Sequence, residues 1–217
     1  MCDTDVLYCI VLCCILQILV RDPTAVMVLQ FNSKQAVLFD KWRERLRVAV
    51  VGEYDRLSDT RSGFNITAVG PLEGLLERLV FIRQVPAALY SRLVCLMDVN
   101  LDPFPFGGGV TLMESCLCDV PFLTLPFKQT VHQLGAGIVS KMAHPDNGSL
   151  GQRMVAHSQE EFVANAVVLA AASHHKKASP SSAPWMKCRD GTFMSQLDDE
   201  AITEWSEFLQ RIAWQHW

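Results

Sequence analysis

No stretch of this 217-residue sequence holds the ~20 consecutive apolar residues that a membrane-spanning helix needs. Lys and Arg form no long block and the net charge is −4, so nucleic-acid and anionic-membrane binding gain no support. The eight cysteines (Cys2, Cys9, Cys13, Cys14, Cys95, Cys116, Cys118 and Cys188) include no C-x-x-C pair. Most lie in apolar segments, where Cys acts as a small hydrophobe. Neither a zinc site nor a disulfide framework is expected, and reduced thiols of the cytoplasm or nucleus fit better. No repeat of about 30 to 50 residues is visible, which excludes a helical array. Both the G-x-G-x-x-G dinucleotide fingerprint and the Gly-Lys-Ser/Thr of a P-loop are missing. Charged residues make up only 19%, while half the residues are hydrophobic, which excludes a disordered chain.

What is present centres on Val99 to Pro126. A short apolar strand leads into Gly107-Gly108-Gly109, then a helix from Val110, then a second strand around Phe122. Consecutive glycines let the backbone approach a bound group and take positive φ where needed. The first N–H groups of a helix lack intrahelical partners, and the helix dipole there favours an anion. With the Thr111 hydroxyl added, the turn suits a phosphate or diphosphate; strand, turn and helix also occur with no ligand.

Leu101-Asp102-Pro103-Phe104-Pro105-Phe106-Gly107-Gly108-Gly109-Val110-Thr111, with Glu114 three residues on and Val120-Pro121-Phe122-Leu123-Thr124-Leu125-Pro126 after it, is long and unusual. It resembles the C-terminal catalytic region of protein O-GlcNAc transferases and SPINDLY proteins (glycosyltransferase family 41). The resemblance runs from about Cys14 to Ala172, with a gap around Val48 to Leu76. It implies an α/β fold: a Rossmann-like parallel sheet flanked by helices, like the C-terminal, nucleotide-sugar-binding lobe of a GT-B enzyme. The implied activity is hexosyl transfer from UDP-GlcNAc to a protein Ser or Thr hydroxyl, without metal or other cofactor. Fucose in place of GlcNAc stays open. The implied partners are a UDP-sugar, a protein acceptor and an N-terminal lobe.

Along the chain, Val6 to Val20 is an apolar run preceded by acidic residues and followed by Arg21-Asp22-Pro23. It reads as a buried helix, with a membrane or signal segment as the alternative. Ala25 to Leu29 follows as a strand. A helix is expected over Lys34 to Arg47, a strand at Val48–Val51 and a loop or insertion over about 52–74. Leu79–Ile82 reads as a strand, and Pro86 opens a helix with Leu89, Tyr90, Leu93, Val94 and Met97 as its stripe. Gln129 to Met142 reads as a helix with His132 near its start; Ser158 to Glu161 is a capping box opening another. Residues 1–172 would form one nucleotide-sugar-binding domain. A linker over 173–198 and an amphipathic helix over 199–217, packing back on the domain, complete the expected organisation.

The resemblance assigns the diphosphate to Gly107, Gly108, Gly109, Val110 and Thr111, the ribose to Glu114 and the uracil to Tyr90. Each has a plain structural alternative: Tyr90 as a stripe residue, Glu114 as a charge favoured near a helix N-terminus. Family sequences of the human type have His-Thr-Thr where this one has Gly109-Val110-Thr111, so one hydroxyl is gone. The lysine usually found before the first helix has no counterpart ahead of Lys34. Asp102 is expected to fix the turn, and no residue offers a clear general base. Two functions follow: a glycosyltransferase lobe, alone possessing little or no transfer activity, or a truncated, non-catalytic nucleotide-binding or interaction module.

Overall fold

The computed structural model describes residues 13–31, 36–58, 71–103, 107–126, 134–142 and 151–178, with short pieces of 202–210. The apolar run opens it as a helix over residues 13–21 (α1), which stops ahead of Pro23. Asp22 shapes the turn by accepting from the Thr24 backbone N–H (2.9 Å) and hydroxyl (2.6 Å). Arg78 closes the end of α1: its Nη1 donates to the carbonyls of Leu19, Asp22 and Ala25 at 2.8, 3.0 and 3.2 Å. One guanidinium thus satisfies carbonyls that the helix end and turn leave open.

Strand β1 (Met27–Phe31) begins two residues later than expected. It is followed by α2 (Ala36–Ser58), α3 (Leu72–Glu77) and β2 (Leu79–Arg83). Then come α4 (Ala87–Leu96), β3 (Asn100–Leu101), α5 (Val110–Leu117) and β4 (Phe122–Leu123). The last elements are α6 (Leu134–Met142) and α7 (Gln159–Ala178). Strands β1 and β2 pair in parallel from Met27↔Leu79 to Phe31↔Arg83, and β3 and β4 pair in parallel at Asn100↔Phe122 and Leu101↔Leu123. Thr124 extends the second sheet through a parallel bridge to Val155. Helices connect each strand to its parallel neighbour, as the geometry of parallel pairing demands. This is the α/β architecture anticipated from the sequence. Among the described residues the strands form two separate two-stranded sheets, with no hydrogen-bonded ladder joining β1 to β3.

The core is likewise in two parts. One gathers α5, β4 and α7 (Leu112, Phe122, Leu123, Phe162, Leu169); the other gathers α2, α3 and β2 (Leu46, Val50, Leu75, Leu79). Helix α1 serves both, with Cys14 and Ile18 in the first and Leu16, Leu19 and Val20 in the second. The described half of the apolar run is therefore packed inside the molecule. No helix among the described residues is long and apolar enough to cross a membrane.

Three expectations are corrected. Val48–Val51 is not a strand, and residues 52–58 are not loop: α2 runs through both. Leu46, Val50 and Glu53, spaced i, i+4 and i+7, face inward, whereas Val48 is 62% exposed. The helical period overrides the β-branched run. Likewise α3 covers 72–74, within the expected insertion, while 59–70 lie outside the described residues.

The linker expected from residue 173 is helical as far as Ala178. Its Lys177 ammonium donates to the carbonyls of Leu96 (3.1 Å) and Met97 and approaches Asp98 Oδ1 (3.4 Å). A lysine that looked like linker charge instead covers the carbonyl end of α4, where a cation is favoured. In the C-terminal stretch, Ile202 is helical and exposed, and Trp205, Phe208, Leu209 and Ile212 lie outside the described residues.

The third correction concerns cysteine. Cys95, near the end of α4, is disulfide-bonded to Cys118 at the end of α5, with Cα atoms 4.9 Å apart. The pairing arises from the packing of α4 against α5, which brings together residues 23 apart in sequence.

Candidate functional site

The site forms where β3 hands over to α5. Asp102 is only 3% exposed, and its backbone N–H continues the sheet by donating to Leu123 O at 2.8 Å. Its carboxylate then turns back on the glycine turn. Oδ1 accepts from the Gly108 N–H at 2.6 Å, and Oδ2 accepts from the Thr124 hydroxyl at 2.8 Å. Burial raises the Asp102 pKa above the ordinary carboxylate value, with the Gly108 N–H and the Thr124 hydroxyl working against that rise.

The glycines are explained by close approach, since none of Gly107, Gly108 and Gly109 takes a positive φ. A Cβ at Gly108 would stand 2.5 Å from the Thr111 hydroxyl, and one at Gly107 would stand 3.2 Å from Asp102 Oδ2. Gly135 in α6 meets the same carboxylate from the other side: a Cβ there would lie 2.7 Å from Asp102 Oδ2 and 2.8 Å from Thr124 Oγ1. Of the three turn glycines, Gly109, the N-cap of α5, alone has open space around it.

Helix α5 starts with no side-chain cap. The N–H groups of Gly109, Val110 and Thr111 have no acceptor among the described residues, whereas Leu112 and Met113 already donate to Gly109 O. The turn thus presents a run of unused donors at the positive end of a helix dipole. The Val110 side chain is 73% exposed, and Thr111 is half-buried. Further along, Asn100 Nδ2 donates to Ser115 Oγ at 2.7 Å, locking α5 to β3 a turn beyond the Asp102 contact.

Tyr90 and Thr111 line a common cavity of about 1010 Å³, whose walls include Met27 to Gln30 of β1 and Val99 to Asp102 around β3. The cavity occupies the space between the unjoined β1 and β3. Ile15 and Ile18 of α1 and Phe162 and Ala166 of α7 complete its walls. Tyr90 is half-buried, and burial first and the nearby Glu114 charge second raise its phenol pKa. Glu114 Oε1 stands 3.1 Å from the hydroxyl of Ser91, which is also 3.2 Å from Ala87 O; its single proton serves one acceptor at a time.

The structure therefore brings Tyr90 and Thr111 to one cavity and Glu114 close to Tyr90, while Gly107, Gly108, Gly109, Val110 and Glu114 are not among the residues that line it. The Gly108 N–H donates to Asp102, which leaves Gly109 as the first open donor of the turn. Ser91 is a residue that the sequence gave no reason to single out. His132 and Lys34 lie outside the described residues, as do Phe104 to Phe106. Among the described residues no three His, Cys, Asp or Glu side chains converge as a metal site.

Comparison with known proteins gives the same direction. No protein-family model matches the chain. A probable UDP-N-acetylglucosamine–peptide N-acetylglucosaminyltransferase SPINDLY from Oryza sativa subsp. japonica is 38% identical over 101 residues, 46% of this chain and 10% of that protein. Its counterpart from Hordeum vulgare is 36% identical over 75 residues, 35% of this chain and 7% of the relative. In fold, the chain is similar to a mutant O-GlcNAc transferase from Thermobaculum terrenum, with a TM-score of 0.56 and 22% identity over 93% of this chain and 34% of the other. The matches thus span about a tenth or less of these SPINDLY relatives and about a third of the solved transferase. Within those bounds the region is of the O-GlcNAc transferase and SPINDLY type, and the chain is glycosyltransferase-like.

Proposed function

We propose that this chain is a nucleotide-sugar-binding lobe that holds UDP-GlcNAc for transfer to a protein Ser or Thr hydroxyl. The observation that supports the reading is the start of α5: the N–H groups of Gly109, Val110 and Thr111 have no acceptor among the described residues, and Thr111 lines a cavity together with Tyr90. A leaving diphosphate is stabilised by fixed donors whose orientation costs nothing at the moment of reaction. Here the backbone donors and the Thr111 hydroxyl take that role, Glu114 accepts from the ribose hydroxyls, and the Tyr90 ring stacks on uracil. No metal or other cofactor enters this reading. A cytoplasmic or nuclear setting goes with it.

A second reading, a module that binds UDP without transferring sugar, is favoured by the state of the nearby carboxylates. Asp102 is buried and engaged by two donors, and Glu114 has Ser91 beside it, so neither stands free as a general base.

Calorimetry with UDP tests the binding. Thr111→Ala should cost about 1.5 to 3 kcal/mol, a ten- to hundredfold loss of affinity. Glu114→Ala should weaken UDP more than its 2′,3′-dideoxy analogue, which lacks the ribose hydroxyls. A folded chain that ignores millimolar UDP removes the site. Labelled GlcNAc transferred to peptide by the full chain would then separate the first reading from the second.

A further inference from the structure

Asp102 occupies an unusual position for an acidic residue near an anion. A buried carboxylate is expensive, and placing it behind a turn meant for a diphosphate adds a repulsion. Its contacts show what offsets that cost. Its two oxygens hold two different segments: Oδ1 takes the Gly108 N–H of the turn, and Oδ2 takes the Thr124 hydroxyl just beyond β4. Gly107 and Gly135 close around the same side chain so tightly that a Cβ on Gly135 would collide with it. The glycine turn after β3, Thr124 after β4 and Gly135 in α6 therefore converge on one side chain.

We propose that Asp102 is a positioning residue for the diphosphate: by taking the Gly108 N–H, it sets the turn so that Gly109, Val110 and Thr111 offer theirs to the ligand. This rests on the UDP reading above and deepens it. Asp102 touches no ligand. It acts through the backbone of the turn, and what it supplies is an acceptor at a fixed point, not a charge. The donor run is then aligned before the ligand arrives, so that less ordering is left for binding.

The consequence is a split between the two ends of the nucleotide. Asp102→Ala frees the turn and should lower affinity for UDP about tenfold, while affinity for uridine, which lacks the phosphates, stays unchanged. Asp102→Asn keeps an acceptor for Gly108 through its carbonyl oxygen, and its amide can donate to the Thr124 oxygen, so it should restore UDP binding to within a few-fold of wild type. Thr124→Val removes one anchor only and should show a smaller loss, again confined to UDP. Calorimetry with UDP and with uridine on the wild-type chain and the three variants reads all of this, and retained uridine binding reports that each variant is folded. UDP affinity unchanged in Asp102→Ala overturns the proposal. So does equal loss of UDP and uridine, which would mean a general role in folding, or an Asp102→Asn variant as weak as Asp102→Ala, which would mean that the charge matters. Wild-type protein that binds neither ligand overturns the UDP reading itself, and the proposal with it.

Discussion

Single residues already carry two measurable consequences. Burial first, and the neighbouring Cys13 second, push the Cys14 thiol up to about 12. The thiolate is the reactive form, so at pH 8 iodoacetamide should leave Cys14 unmodified in the native chain and alkylate it once urea exposes it. Peptide mass spectrometry reads the difference; equal labelling in both states would contradict the packing of α1. Asp102 makes the second. Its folded pKa lies above the ordinary carboxylate value, so its contribution to stability is complete below the ordinary range and is lost as pH rises through the raised value. Asparagine does not titrate. The stability of Asp102→Asn relative to wild type should therefore improve between about pH 4 and pH 7, as urea midpoints across that range would show. A difference independent of pH would mean that the carboxylate is not desolvated.

At the scale of elements, α4 and α5 form the unit that carries the candidate site, and a covalent bond ties them. Closing a loop between Cys95 and Cys118 should contribute about 3 kcal/mol, so Cys95→Ser should unfold at correspondingly lower urea under oxidising conditions. Identical midpoints would show that the bond leaves the unfolded chain unconstrained. In a reducing compartment the bond would open, and α4 would be held to α5 by packing and by Ser91 near Glu114.

These elements were not equally visible in the sequence. The β3–turn–α5–β4 succession was legible because glycines and prolines punctuate it and its apolar runs are short. The capping box was legible too: Glu161 N donates to Ser158 Oγ at 3.1 Å, although the Glu161 carboxylate accepts from His157 N instead of Ser158 N. The length of α2 was hidden by Val48–Val51, a run whose composition points to a strand while its spacing points to a helix. Asp102 was rightly expected to fix the turn, but its hold on Gly108 could not be seen. Contacts such as Lys177 on the end of α4 join residues 80 apart, and no local pattern encodes them.

On the scale of the whole molecule, α1 is the shared wall. Leu19 is fully buried, with 0% exposure, and Leu19→Ala should cost about 2 to 5 kcal/mol, measured by thermal or urea unfolding. A loss below 1 kcal/mol would show that the helix is peripheral. The break between β1 and β3 adds something further. A continuous sheet tends to open as one piece, because every strand is laced to the next. Among the described residues no lacing crosses the middle, and each half has its own apolar cluster. The native protein should behave as two cooperative units that breathe separately. Amide hydrogen exchange would then sort β1 and β2 into one protection class and β3 and β4 into another, with α1 exchanging no more slowly than the weaker half. The mouth of the site, seated on the β3–β4 half, would keep its form through openings that dissolve the β1 side of its wall.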